Sequence, residues 1–234
     1  MEDWMNRCTL CPRRCGADRT VSVGRCGVGE QVRLARAALH FWEEPCVSGA
    51  EGSGTVFFSG CSLGCVFCQN YQISAGHFGR DIPVERLAEI FLELQEQKAN
   101  NINLVTGGHY IPQIVRALDL VRGKLHIPVV YNSSGYETVE ALRMLKGYVD
   151  VYLPDLKYRS PERGARYSHA PDYFAVASKA ILEMLDQVGP VQFDGRGMIQ
   201  RGLIVRHMVM PNGVEDSMDI LTWIAGNLPA QQGR

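Results

Sequence analysis

The residues of this chain best suited to chemistry are Cys61, Cys65 and Cys68, in the run GTVFFSGCSLGCVFCQNY. They form a C-x3-C-x2-C set just past an apolar, strand-like segment. A cubic 4Fe–4S cluster normally takes four cysteines, one per iron. Three leave one iron open to a ligand that is not protein, and reaction can occur there. Zinc is the competing reading, but zinc wants a fourth protein ligand close by. No further Cys or His stands at suitable spacing, His77 being the nearest. A second set, Cys8, Cys11, Cys15 and Cys26 (C-x2-C-x3-C-x10-C), is four-coordinate by count. A closed site of this kind is structural or electron-relaying, and zinc and a second iron–sulfur cluster both fit it. Cys46 stands alone in EEPCVSG and reads as an incidental small thiol.

These cysteines lie in a chain of 234 residues, long enough for one domain of moderate size with an appendage. With 46% hydrophobic and 21% charged residues the composition is that of a globular protein. Seven of eight cysteines fall in two tight sets, which favours metal ligation in a reducing cytoplasm over disulfides. The net charge of −1 gives no broad reason to expect nucleic-acid or membrane binding. Residues 1–36 hold seven arginines against four acids, but without interleaved aromatics they read as a solvated metal-binding loop. No apolar run approaches membrane-spanning length, and the polar N-terminus lacks a signal-peptide stretch.

Two parts are expected: a cysteine-rich extension and connection over 1–52, and an α/β unit over 53–234. In the second part, runs rich in Val, Ile, Leu, Phe and Tyr occur at 55–60, 102–107, 127–132, 149–156 and 202–210. Most lack clean alternation, as strands buried on both faces do. Amphipathic stretches lie between them. Leu87, Ile90, Phe91 and Leu94 make one stripe, Ile114, Ala117, Leu118 and Val121 another. Val139, Leu142 and Leu145 form a third, stopped at Gly147, and Phe174, Ala177, Ile181 and Met184 a fourth. A last helix is expected near 216–228, before a polar tail, AQQGR. Strand–helix alternation with short linkers predicts βαβ units and a parallel sheet. Five units are too few to close an eight-stranded barrel, so the sheet is open.

In such a fold the reactive face lies at the C-terminal ends of the strands. There the chain places the three cysteines, then Gly107-Gly108-His109-Tyr110, Asn132-Ser133-Ser134, Asp155-Leu156-Lys157 and Arg206-His207. One or two polar ends are ordinary for βα loops. Five on one rim beside a cluster motif point to a ligand site.

With these residues the chain resembles the radical S-adenosylmethionine (SAM) superfamily. Cys61-x3-Cys65-x-Phe67-Cys68 matches its signature, with an aromatic before the last cysteine. The resemblance implies a partial (β/α) barrel whose three thiolates hold a 4Fe–4S cluster, the open iron chelating the amino and carboxylate groups of SAM. The reduced cluster then cleaves SAM to methionine and a 5′-deoxyadenosyl radical for hydrogen abstraction. By the same resemblance Phe67 lies against the cofactor and Gly107-Gly108 is the turn approaching the SAM amino group. Asn132 and Ser134 look like ribose contacts, Asp155-x-Lys157 resembles the DLK element of glycyl-radical activating enzymes, and His207 looks like the adenosine contact. The chain is most similar to a pyruvate formate-lyase activating enzyme-like subfamily, through CTLCPRRCG, HFWEEP, GSGTVFFSGCSLGCVFCQNYQIS, VVYNSSGYE, VYLPDLKY and GLIVRHMVMPN. That similarity implies a flavodoxin or ferredoxin as electron donor and a protein or small-molecule substrate. Two departures stand out: His109 replaces a glutamate found in many activases, and a sixth βα unit is missing. The competing expectation is a shortened zinc- or cluster-bearing scaffold without radical chemistry.

Overall fold

The protein is described over residues 3–229 from a computed structural model; the polar tail at 230–234 lies outside the described residues. Eight strands form one sheet: β1 (Val32–His40), β2 (Ser53–Phe58), β3 (Arg80–Ile82), β4 (Ile102–Val105), β5 (Val129–Ser133), β6 (Val151–Pro154), β7 (Gln192–Phe193) and β8 (Ile199–Leu203). Their spatial order is β3-β1-β2-β4-β5-β6-β8-β7. The inner five, β2, β4, β5, β6 and β8, are mutually parallel, while β1, β3 and β7 pair antiparallel at the edges. The sheet does not close, so the architecture is the expected partial barrel.

Nine α-helices accompany it among the described residues: α1 (Asp3–Asn6), α2 (Pro45–Ser48), α3 (Tyr71–Ser74), α4 (Val84–Glu96), α5 (Ile111–Leu120), α6 (Val139–Met144), α7 (Pro161–Ser168), α8 (Tyr173–Val188) and α9 (Val214–Asn227), with one 3-10 turn at Gly108–Tyr110. The predicted stripes face the sheet: Leu87, Phe91 and Leu94 of α4, Ile114 and Ala117 of α5, and Ala177, Ile181 and Met184 of α8 are all buried. Each such side chain contributes about 1.5–3 kcal/mol on leaving water, so these faces fix the helices on the convex side. Thr138 caps α6 by accepting from the Ala141 amide, and Gly147 turns the chain after it with φ of 84°.

Because side chains alternate across a strand, the concave side receives the other set. Val130, Val151, Leu153 and Ile199 form a small second core there, closed from below by Val47 of α2. Asn101 pins that plug by donating to the Val47 carbonyl at 2.7 Å and accepting from Ser53 at 2.6 Å. Cys46 sits half-buried on the same plug. Higher on the concave face the pattern turns polar, through Asn132 and Asp155.

The fifth parallel strand differs from the expected 202–210. It begins at Ile199, and only Gly202 and Leu203 pair with β6 before an isolated bridge joins Asp155 and Arg206. Beyond that bridge Met208 and Val209 are exposed, so the apolar run continues without a ladder. Among the described residues no helix is long and apolar enough to cross a membrane.

Candidate functional site

Past Phe58 the chain leaves the sheet through Ser59 and Gly60. Gly60 has φ of 86°, and a Cβ there would stand 2.6 Å from the Cys26 carbonyl oxygen, so glycine is required twice over. The loop then folds back with Leu63 buried beneath it and the Cys68 amide donating to the Cys65 carbonyl at 3.1 Å. Each sulfur has a local donor or hydroxyl partner. The Leu63 amide reaches Cys61 Sγ at 3.4 Å, the Ser168 hydroxyl lies 2.9 Å from Cys65 Sγ, and the Ser74 hydroxyl donates to Cys68 Sγ at 3.3 Å. Burial pushes the Cys61 and Cys65 thiols above their ordinary range; backbone amides oppose this at Cys61, and Ser168 and Lys157 oppose it at Cys65. Ligation must therefore displace protons.

Among the described residues no three Cys, His, Asp or Glu side chains converge tightly enough for a single ion. A cubic cluster asks for something else, since each thiolate meets a different iron. Three thiols on one loop, each supported by a donor, fit that group.

The remaining strand ends face the same rim. Asp155 accepts from Lys157 Nζ at 2.5 Å and from Arg206 Nε at 3.0 Å, and Arg206 Nη2 donates to Asn132 Oδ1 at 2.6 Å. Arg206 also lies 3.6 Å from Glu43 and 3.7 Å from Glu44. Burial raises the Glu43 carboxyl above its ordinary value, with Arg206 opposing. Below them Asn103 is fully buried, and its amide approaches Glu43 without a well-formed hydrogen bond. An orphaned amide and a carboxylate cluster beneath an open rim suit a polar ligand.

Three residues without any signature hold this rim in place. The Tyr173 hydroxyl lies 2.7 Å from the Ser134 carbonyl and 2.8 Å from the Asp155 carbonyl, and accepts from the Lys157 amide at 3.0 Å. It ties the end of β5 to the end of β6. Tyr173→Phe is expected to cost about 1–2 kcal/mol, because two half-buried carbonyls and an amide lose their shared partner; denaturant titration of the variant checks this. Ser168, buried at the last turn of α7, serves both Cys65 and the Tyr158 hydroxyl. Phe67 packs edge-on against Tyr158 and Tyr167.

The third is Glu137, fully buried behind the Gly107-Gly108 turn. A Cβ on Gly108 would run into its carboxylate, and one on Gly107 would meet Ile114 at 2.6 Å. A Cβ at either position would thus push the end of the Ile114 or Glu137 side chain aside, and Thr106 stands just before the pair at φ of 60°. Burial raises the Glu137 carboxyl to about 8, against weaker opposing contacts from Tyr131 and Ser133. Its folded value lies above the unfolded one, so in that window the folded state keeps a proton that the unfolded state has released. Stability accordingly falls as pH rises from about 4.5 to about 8, by about 1.4 kcal/mol per unit. Glu137→Gln is expected to remove that slope, read by urea unfolding at about pH 5.5 and about pH 7.5.

His109 and His207 part company. His109 is buried, held neutral by desolvation that lowers its value to about 3, and its Nε2 meets the Ser59 carbonyl at 2.8 Å. It props the cysteine loop. His207 lies at the rim with both nitrogens engaged, Nδ1 with the Leu156 carbonyl at 2.6 Å and Nε2 with Ser217 at 2.8 Å. A surface cleft of about 550 Å³ beside Ser160, Arg163 and Asp216 contains none of the candidate residues.

The four N-terminal cysteines gather as a second group. Cys8, Cys11 and Cys26 are buried and Cys15 is exposed. A Cβ on Gly24 would lie 3.3 Å from Cys26 Sγ and 3.6 Å from Cys15 Sγ. The Thr138 hydroxyl and Arg19 fasten this segment to the barrel, through the Leu10 carbonyl at 2.9 Å and the His109 carbonyl at 2.6 Å.

Comparison with known proteins agrees with this geometry. The family model described as the radical SAM superfamily matches residues 55–221, from β2 into α9. An uncharacterized protein of Methanocaldococcus jannaschii is 34% identical over 230 residues, covering 94% of this chain. The chain spans 62% of that relative's length.

Proposed function

The chain belongs to the radical SAM superfamily, and from that premise we propose that it binds a 4Fe–4S cluster on Cys61, Cys65 and Cys68 and cleaves SAM reductively to start hydrogen abstraction. The observation that carries the reading is the meeting of three supported thiols with the polar ends of β5 and β6 on one rim. A cluster held by these three thiolates would supply one electron to SAM, the chemistry by which SAM is cleaved reductively to methionine and a 5′-deoxyadenosyl radical. The protein's part is to bind, orient and shield. Gly107 and Gly108 bring bare backbone to the rim, and Asn132 and Ser134 offer oxygens beside it. Asp155 and Lys157 offer opposite charges, suited to a ligand carrying amino, carboxylate and hydroxyl groups. Phe67 gives an apolar wall, and His207 holds the outer edge through its bonds to Leu156 and Ser217.

The finer reading is an activase-like oxidoreductase that transfers a radical to a protein glycine or a small molecule. It rests on the Asp155-x-Lys157 element and on the similarity that runs from CTLCPRRCG to GLIVRHMVMPN. A flavodoxin or ferredoxin supplies the electron, and free thiols in two close sets suit a reducing cytoplasm. Cys8, Cys11, Cys15 and Cys26 hold a second cluster or zinc; zinc would require three or more of them to draw closer together than they stand among the described residues, whereas a cluster would not. The decisive experiment is anaerobic reconstitution with iron and sulfide, then EPR of the reduced protein with and without SAM, alongside chromatography for 5′-deoxyadenosine. A cluster spectrum that SAM leaves unchanged would sink the proposal.

A further inference from the structure

We propose that Arg13 couples a metal centre on the four N-terminal cysteines to the three-cysteine loop, closing that loop and setting a positive charge against it. The inference rests on the radical SAM reading and adds a control on its cluster.

Arg13 stands between Cys11 and Cys15, so the N-terminal thiol loop carries it. Among the described residues its guanidinium donates to backbone carbonyls alone, on two separate segments. In the cysteine loop it reaches Ser62 at 2.8 Å and Leu63 at 3.4 Å. At the end of α7 it reaches Ser168 at 2.9 Å and His169 at 2.5 Å. Carbonyls at a helix C-terminus lack intrahelical partners and carry partial negative charge, so a guanidinium suits them. Among the described residues Arg13 meets no carboxylate at ion-pair distance; its face lies 5.2 Å from the Tyr136 ring. Arg33, by contrast, is paired with Asp81 at 2.7 Å. Among the described residues the Arg13 charge therefore acts on the loop without a carboxylate partner.

The segment bearing it is folded around the thiols. Cys8 accepts from the Gly16 amide, its own amide donates to Ala17, and the Arg14 amide donates to Cys11, with Arg14 at φ of 41°. A left-handed arginine is held there by its surroundings. A second tie joins the sites directly: the Cys61 amide donates to the Cys26 carbonyl at 3.3 Å, and Gly60 passes too close to that carbonyl for any side chain. Ser168, whose carbonyl Arg13 holds, carries the hydroxyl beside Cys65 Sγ. Metal on the N-terminal thiolates fixes the loop, the loop fixes Arg13, and Arg13 fixes two of the three cysteines' supports. Adding an electron to a thiolate-bound cluster increases its negative charge, and a nearby cation favours that step.

The test uses the full chain, reconstituted anaerobically, as wild type, Arg13→Gln, Arg13→Lys and Cys15→Ser. Iron, acid-labile sulfide and zinc are quantified, and the potential of the SAM-responsive cluster is read by EPR during dithionite titration. Cys15 is the exposed thiol, so its replacement spares buried packing. The expected result is loss of the N-terminal metal in Cys15→Ser with the three-cysteine cluster retained. Cys15→Ser and Arg13→Gln then shift to lower potential together, while Arg13→Lys stays near wild type. Sulfide beyond one cluster per chain identifies the N-terminal centre as iron–sulfur, and one zinc per chain identifies it as zinc. A wild type with neither overturns the proposal, as does an unmoved potential in Arg13→Gln or an equal fall in Arg13→Lys. If Arg13→Gln holds no cluster at all, Cys15→Ser decides, and a wild-type potential there overturns the coupling. A wild-type cluster that ignores SAM fails the parent reading; a SAM response with unmoved potentials fails this one alone.

Discussion

Replacing Cys61, Cys65 or Cys68 with alanine is expected to remove the SAM-responsive EPR signal and to reduce 5′-deoxyadenosine formation to background. Each thiolate serves a different iron, so losing one leaves two open irons in place of one and a cluster that two protein ligands hold poorly. Iron is expected to fall by about four per chain, one cubic cluster, while metal at the N-terminal cysteines remains. The fold is expected to survive, because these side chains are half-buried and sit on a loop outside the sheet. Circular dichroism should be unchanged. Cys65→Ser is the sharper variant, since it keeps the volume and the Ser168 contact while removing a soft ligand. Retained iron with an unchanged spectrum in Cys65→Ser would place the cluster elsewhere. The four N-terminal cysteines are the only other grouped thiols, so their alanine variants form the control.

The sheet could be read in advance because buried parallel strands need continuous apolar runs and the helices over them need one apolar stripe. INLV and VYLP sit within the predicted segments and VVYNS runs one residue past its own; the α4 and α5 stripes point inward, as do Ala177, Ile181 and Met184 of the α8 stripe, while Phe174 is half-buried. What escaped reading depends on contacts between distant residues. The segment PERGARYS is polar, with only Gly164 and Ser168 buried, so α7 has no stripe to announce it. Yet it delivers the hydroxyl beside Cys65. The start of β8 was hidden by Gln200 and Arg201, which interrupt the apolar pattern. Glu43 and Glu44 lie in a motif whose role was unassigned, and Arg206 stood at a strand end beside the more conspicuous His207. A charged residue on a rim reads as solvated until its partner, here 51 positions away, is placed against it. His109 illustrates the converse: its position in the glycine turn suggests a ligand contact, but burial and the Ser59 bond make it a prop.

Arg206→Ala is expected to have the second largest effect, because one side chain joins four candidate groups. It bridges the ends of β5 and β6 through Asn132 and Asp155 and faces Glu43 and Glu44 from the α2 approach. Among the described residues its loss leaves three carboxylates on the rim, with Lys157 against Asp155 and His40 near Glu43 as the groups that still oppose them. The side chain is 30% exposed, so solvent screens part of this, and a stability loss of about 1–3 kcal/mol is expected. The larger consequence falls on the ligand. Asn132 and Asp155 are freed to rotate, and Glu43, already pushed up by burial, takes up a proton more readily without its cation. SAM affinity is expected to fall about tenfold to a hundredfold, equivalent to about 1.4–2.8 kcal/mol. Arg206→Lys should recover little, since a single ammonium cannot reproduce a fork that spans Asp155 and Asn132. Calorimetric titration of SAM into the reconstituted variants, with thermal melts beside it, separates the two effects. A destabilised Arg206→Ala protein with wild-type SAM affinity would make Arg206 a strut between strands and remove it from the ligand site.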